Sequence, residues 1–146
     1  IAVIGGGAVG LDVVEFFAAR KADISIVEMM DQIGRDLDPV TKNDMKCQMK
    51  THGVHQLTQT ALLEVKEHSF LVKGSDGSYE LPFDYGFVCL GMRAKGQLYP
   101  QLLDAFADDD VEILNIGDSQ RARRIIDGTM EGRNILYHLT QRGYLD

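Results

Sequence analysis

Ile1-Ala2-Val3-Ile4-Gly5-Gly6-Gly7-Ala8-Val9-Gly10 is the stretch on which the fold turns. A short β-branched run breaks into three glycines, the profile of a buried strand entering a tight turn. From Ala8 to about Arg20 the spacing becomes helical, with Val9, Val13, Phe16 and Phe17 assigned to one face and Asp12, Glu15 and Arg20 elsewhere. Ile24-Ser25-Ile26-Val27 then reads as a second strand closed by Glu28. Strand, glycine turn, helix and strand within 28 residues make a βαβ unit, whose crossover is expected to be right-handed.

Outward from this unit the punctuation is clear. Asp38 followed by Pro39 opens a helix, because Asp accepts hydrogen bonds from free N–H groups at an N-cap and Pro presets φ at the first helical position. The helix is expected to stop near His52, at Gly53. Val54 to Thr58 reads as a third parallel strand. Ala61–Glu67, Phe70–Lys73 and Ser78–Leu81 are short runs, the last two joined through Ser75-Asp76-Gly77, and together they predict an antiparallel meander. Asp84–Leu90, ending at Gly91, is expected to return to the parallel sheet as a fully buried strand. A short helix over Gln97–Phe106, the acidic loop Asp108-Asp109-Asp110, a strand over Val111–Ile116 ending in Gly117-Asp118, and a helix from about Gln120 to Arg142 complete the chain.

Composition narrows the function classes. The 146 residues are 45% apolar and 25% charged, an ordinary globular balance that excludes disorder, collagen-like repeats and coiled coil. No apolar stretch approaches the roughly 20 residues that span a bilayer. Fifteen Lys and Arg against twenty-two Asp and Glu give a net charge of −7, which argues against nucleic-acid binding, where basic surface must displace phosphate counterions. Cys47 and Cys89 form no CxxC pair, so neither a disulfide framework nor a dithiol centre is indicated and a cytoplasmic setting is expected. Cys47, His52 and His55 do not make a metal set: a zinc site needs four suitable ligands, and a helix end with Gly53 between the histidines accounts for them. Arg121, Arg123 and Arg124 at a helix start oppose the helix dipole, which suits either an anionic partner or a solvated basic patch.

The spacing Gly5-x-Gly7-x-x-Gly10, after a strand and opening a helix, with Glu28 ending the next strand 18 residues after Gly10, is a dinucleotide-binding fingerprint. Gly5 permits the turn, Gly7 lets a pyrophosphate approach the backbone, and Gly10 lets the helix pack closely. The helix N-terminus at Ala8 and Val9 offers unpaired N–H groups to phosphate. Glu28 is expected to accept from the adenosine ribose hydroxyls, with Met29 beside it, although Met29-Met30 reads equally well as packing filler. Met29-Met30-Asp31 holds no Arg or Lys for a 2′-phosphate, so NADH is favoured over NADPH.

On these residues the chain resembles a known group. Ala2–Gly10, Glu28-Met29 with Ile33–Lys42, Leu90-Gly91-Met92-Arg93 and Ile116-Gly117-Asp118 look like the C-terminal region of the NADH:flavin oxidoreductases related to 2-enoate reductase and 2,4-dienoyl-CoA reductase. The resemblance implies a Rossmann-like α/β domain with a meander crossover over residues 1–107. Residues 108–146 would be a strand-and-helix remnant of the neighbouring FAD domain. It implies that Gly5, Gly7 and Gly10 hold the NADH pyrophosphate and Glu28 the ribose, that Gly91 passes close to the nicotinamide, and that Gly117 and Asp118 meet the FAD. Asp12 stands where relatives often carry Glu, Ala94-Lys95 replaces a common Pro-Asn, and Gly128 a common Ala.

An FMN barrel and an iron–sulfur cluster precede this region in the family, so Ile1 is expected to mark a cut within a longer flavoenzyme, and the fragment alone is expected to bind NADH and turn nothing over. Its apolar C-terminal residues, Ile113, Leu114, Ile116, Ile125, Ile126, Ile135 and Leu136, are expected either to extend the sheet or to pair with a second copy as a homodimer. Two other readings fit the same fingerprint. In one, Gly5 to Glu28 binds the ADP half of FAD. In the other, the chain is a non-catalytic NAD(H)-responsive module.

Overall fold

A computed structural model describes residues 1–145. The chain divides into two compact units, Ile1–Gly91 and the residues from Met92 onward.

In the first unit, four parallel strands line up in the order β3-β2-β1-β7: β1 (Ala2–Ile4), β2 (Ser25–Val27), β3 (His55–Leu57) and β7 (Gly86–Val88). Helix α1 (Ala8–Ala18) crosses from β1 to β2, and α2 (Pro39–Thr51) from β2 to β3. The crossover from β3 to β7 is an antiparallel meander of β4 (Ala61–Val65), β5 (Ser69–Gly74) and β6 (Gly77–Pro82). This is the α/β architecture expected, with the two sheets and the helices in the anticipated chain order.

Alternation along the strands builds two cores from one sheet. Side chains two residues apart share a face and neighbours oppose. Val3 and Ile26 therefore point one way, into a cluster with Leu11, Val14 and Ala18 of α1 and Met45 and Met49 of α2. Ala2, Ile4 and Val27 point the other way and pack on Phe70 and Val72 of β5. Phe70 is closed over by Phe83, ring centroids 4.4 Å apart. The meander thus covers the face of the sheet that the helices leave bare, and completes a three-layer sandwich.

The ends of α2 follow local chemistry. Asp38 Oδ1 accepts from the backbone N–H groups of Val40 and Thr41, at 3.0 and 3.1 Å, with Pro39 at the first helical position. Gly53, just beyond the end, has φ +67°.

Three expectations change. The buried face of α1 is Gly10, Leu11, Val14 and Ala18, while Val9 and Phe16 face outward, 62% and 52% exposed. The helix is rotated by the close approach at Gly10, which sets residues 14 and 18, one and two turns on, over the sheet. Phe16 instead carries the Arg20 guanidinium 3.6 Å above its ring. The second change concerns β7, which is an edge strand with Gly86 and Val88 exposed; within the sheet it has a neighbour, β1, on one side only.

The third change lies in the second unit, which contains α3 (Leu98–Ala105), a 3₁₀ turn (Gly117–Ser119) and α4 (Ile125–Gln141). Val111–Ile116 is not a strand and does not extend the parallel sheet. A strand exists only through a ladder with a neighbour, and the described residues of this unit include no other strand. Nor does α4 reach back to Gln120, because the turn at Gly117–Ser119 and the extended Arg124 intervene.

Candidate functional site

The fingerprint glycines gather at the carboxyl end of β1, the end of a parallel sheet at which ligands bind. Gly5 has φ +104°, and a Cβ placed on it would sit 2.2 Å from the carbonyl oxygen of Cys89 on the chain leaving β7. Gly10 is tighter: its Cβ would lie 1.9 Å from the Gly5 carbonyl oxygen. Neither position admits a side chain, so the first turn of α1 is drawn against the loop that feeds it. The close approach of Gly10 is therefore to the loop backbone itself, with Val3 of the sheet a secondary neighbour at 3.4 Å.

Gly7 differs. Nothing lies within 4 Å of the Cβ position there, and Gly7, Ala8 and Val9 are exposed. Gly7 is the N-cap of α1, no side chain caps it, and no acidic residue stands in the first turn. The opening N–H groups of α1 thus face free space with the positive end of the helix dipole behind them, an arrangement suited to phosphate.

Glu28 leaves β2 beside this loop. Its backbone is held on both sides, the N–H donating to Leu57 O at 2.8 Å and the carbonyl accepting from Thr60 N at 3.0 Å. Its carboxylate is held as well: Oε2 accepts from Gly6 N at 2.7 Å and Oε1 from Met30 N at 2.8 Å. Two oxygens offer about four acceptor positions, so each keeps capacity for a hydroxyl. Met29 is 67% exposed next to it. Ile33 and Gly34 close the loop behind, with Gly34 N donating to Gly6 O at 2.8 Å.

Gly6 is a site residue that the spacing pattern passes over. A Cβ there would come within 3.1 Å of Glu28 Oε2 and of Ile33, so glycine at this open position of the pattern is the signal that was available. Gly91, φ +78° and exposed, ends the first unit beyond β7. Half-buried Cys89 precedes it, and burial pushes its thiol up from the usual range.

A concavity of about 830 Å³ is lined by Ile1, Asp23, His68 and Tyr85 among others, at the amino ends of the strands and away from the glycine loop. A smaller one of about 410 Å³ is lined by Asp31, Gln32, Ile33, Lys46, Met49, Gln56 and Thr58, on the β3 side just beyond Glu28. Placement at the carboxyl ends of the strands makes the smaller one the relevant neighbour of the site. Among the described residues no three His, Cys, Asp or Glu side chains converge as a metal set; His55 lies 3.4 Å from Asp23. No helix among them is long and apolar enough to cross a membrane.

In the second unit, Gly117 (φ +64°) and exposed Asp118 form a turn ahead of α4. Gly117 N donates to Glu131 Oε2 at 2.7 Å, and Arg123 N donates to Asp118 Oδ1 at 3.2 Å. Of the three arginines, Arg123 is paired with Glu131 and Arg124 lies near Asp127. Glu131 carried no signal in the sequence, being one helical carboxylate among many.

Comparison with known proteins gives the context. A family model described as pyridine nucleotide-disulphide oxidoreductase matches residues 1–77, just over half of the chain. A metal reductase of Desulforamulus reducens is 28% identical over 92% of this chain and 24% of its own length. An NADH oxidase of Thermoanaerobacter brockii is 26% identical over 95% of this chain and 21% of its own. Among solved structures, 2-naphthoyl-CoA reductase superposes with a TM-score of 0.66 at 19% identity, over 90% of this chain and 20% of that one. The chain spans about a fifth to a quarter of the length of the relatives it matches.

Proposed function

The chain belongs to the pyridine nucleotide-disulphide oxidoreductase family, and on that premise we propose that it is the NADH-binding part of a flavin-dependent oxidoreductase of the 2-enoate and 2,4-dienoyl-CoA reductase kind. The observation that carries this reading is the pairing of an open, uncapped helix N-terminus at Gly7 with a carboxylate at Glu28 fixed beside it. Gly5, Gly7, Ala8, Val9 and Gly10 would hold the pyrophosphate, Glu28 the adenosine ribose, Met29 the adenine side, and Gly91 would border the nicotinamide. NADH held by these residues would supply a hydride, for which a flavin of the parent enzyme would be the acceptor.

What this chain does is bind and orient. The loop backbone presents N–H groups where negative charge falls, and Glu28 turns away a 2′-phosphate by like charge while accepting from hydroxyls. Residues 1–107 form the NADH domain in this reading. Residues 108–146 belong to an FAD domain whose remainder, with an FMN domain and an iron–sulfur cluster, lies elsewhere in the parent. Asp118, exposed behind the Gly117 turn, would face the FAD, and a homodimer through this segment is the other arrangement that would cover its apolar residues.

Titration of the purified chain with NADH, NADPH and FAD tests the reading. Saturable binding of NADH, with NADPH weaker by at least about tenfold from the charge clash, is expected. Equal or tighter NADPH binding overturns the NADH assignment, and a yellow protein that releases FAD on denaturation moves the fingerprint to the flavin's ADP half.

A further inference from the structure

The turn at Gly117 and Asp118 is held from a distance. Gly117 adopts φ +64°, the left-handed region, and both of its backbone groups are engaged: its carbonyl accepts from Gln120 N and Arg121 N, each at 3.1 Å, and its N–H donates to Glu131. Glu131 lies in the second turn of α4, fourteen residues away in sequence. Its other oxygen, Oε1, accepts from the Arg123 guanidinium. The backbone N–H of that same Arg123 donates to Asp118 Oδ1. Three hydrogen bonds through Gly117, Glu131, Arg123 and Asp118 are therefore closed into a ring by the Gly117–Asp118 peptide bond, with Glu131 and Arg123 side chains only about a quarter exposed, 25% and 28%.

We infer that Glu131 is a positioning residue for Asp118: through Gly117 N–H and Arg123 it sets both the backbone turn that carries Asp118 and the donor that orients its carboxylate. Local bonds close the turn through the Gly117 carbonyl, whereas its N–H is taken by Glu131. Asn115 and Gln120 engage Ser119 and Arg123 side chains and leave the Gly117 amide alone. A glutamine at 131 would not substitute, since its amide has one acceptor oxygen and would turn an N–H₂ group toward either the Gly117 N–H or the Arg123 guanidinium, both of them donors. The relevance of the ring to flavin binding rests on the reading of Asp118 given above; the ring itself does not.

The hydrogen bonds hold the Glu131 carboxyl below the usual glutamate range, the Gly117 N–H contributing most and Arg123 next, while nearby Asp127 acts in the opposite direction. Nuclear magnetic resonance on the isotopically labelled 146-residue chain reads the ring directly. The Gly117 amide is expected to exchange slowly and to shift with pH at the same midpoint as the Glu131 carboxyl, below that of an ordinary glutamate. Glu131→Gln is expected to speed Gly117 exchange by about tenfold or more, from loss of a charge-assisted hydrogen bond, and to move the Asp118 signals. An unprotected Gly117 amide in the unsubstituted chain, or a Gly117 shift that ignores the Glu131 titration, overturns the inference without any variant having to fold. Adding FAD to the same sample separates the two questions: Asp118 signals that move with FAD support the flavin reading, while the ring is judged on its own midpoint.

Discussion

The two units use the same device on different foundations. In each, a glycine-bearing turn is held by a carboxylate from a later element: Gly6 N–H on Glu28 in the first, Gly117 N–H on Glu131 in the second, both at 2.7 Å. Beneath the first lies a core on both faces of a sheet, with Val3, Ile26, Phe70 and Val72 almost wholly out of contact with water. Beneath the second lies none; no described residue from 92 onward is buried, and Ile125 is 92% exposed. Hydrogen bonds thus draw the local shape of a turn in either unit, while full apolar burial, the dominant favourable term in folding, is found among the described residues only in the first, the second going no further than half-buried side chains such as Ile113 and Ile135.

The sharpest way to break this comparison is one substitution made in both units. Gly10→Ala drives a Cβ into the Gly5 carbonyl and is expected to destabilise the first unit by about 4 kcal/mol or more, the range reserved for severe backbone or core disruption. Gly132→Ala in α4 meets open space, and is expected to stabilise by about 0.5–1 kcal/mol through helix propensity alone. Chemical denaturation of both variants reads the two signs; a tolerated Gly10→Ala would mean that the helix can back away from its loop.

Core truncation comes next. Phe70→Ala removes the ring that seals Ala2, Ile4 and Val27, and is expected to cost about 3–5 kcal/mol. Ile125→Ser is expected to change thermal stability by no more than about 0.5 kcal/mol, because the side chain already faces water. A large loss from Ile125→Ser would reveal that a second copy or another partner covers α4 in solution.

A smaller effect tests the anchored loop of the first unit. Glu28→Gln leaves Gly6 and Met30 N–H groups competing for one oxygen, and is expected to cost about 1–3 kcal/mol in the nucleotide-free chain, before any ribose is considered. Unchanged stability with weakened NADH binding would reduce Glu28 to a ligand contact only.

The smallest expected effect is at the cap of α2. Hydrogen bonds from Thr41, then from Val40, lower the Asp38 carboxyl below its ordinary value. A lowered folded-state value means that the stabilisation is complete above the ordinary aspartate range and disappears as pH falls through the lowered one. Asp38→Ala is expected to flatten that part of the stability-against-pH curve, measured by thermal melting across the acid range.

Much of the first unit was legible residue by residue. Gly5 and Gly10 announced the turn and the close helix, Asp38-Pro39 the start of α2, and Ser75-Asp76-Gly77 the hairpin between β5 and β6. These are local matters: a cap, a turn or a strand period depends on a few consecutive residues and their allowed dihedrals. The face of α1 was not legible, because apolar residues surround that helix and only the contact at Gly10 says which of them turn inward. Val111–Ile116 reads as a strand on β-branched content, yet pairing takes a neighbour that content cannot supply.

The site divides along the same line. By itself the sequence determined that a strand, a glycine turn and a helix N-terminus would meet at Gly5–Gly10 with a carboxylate ending the next strand, since those features follow from spacing and backbone sterics. Only the tertiary structure decided that Glu28 spends both oxygens on Gly6 and Met30, that β7 is an edge, and that Glu131 reaches back to Gly117. Those contacts join atoms far apart along the chain. Their energy depends on distances of a few tenths of an ångström, which no one-dimensional pattern encodes.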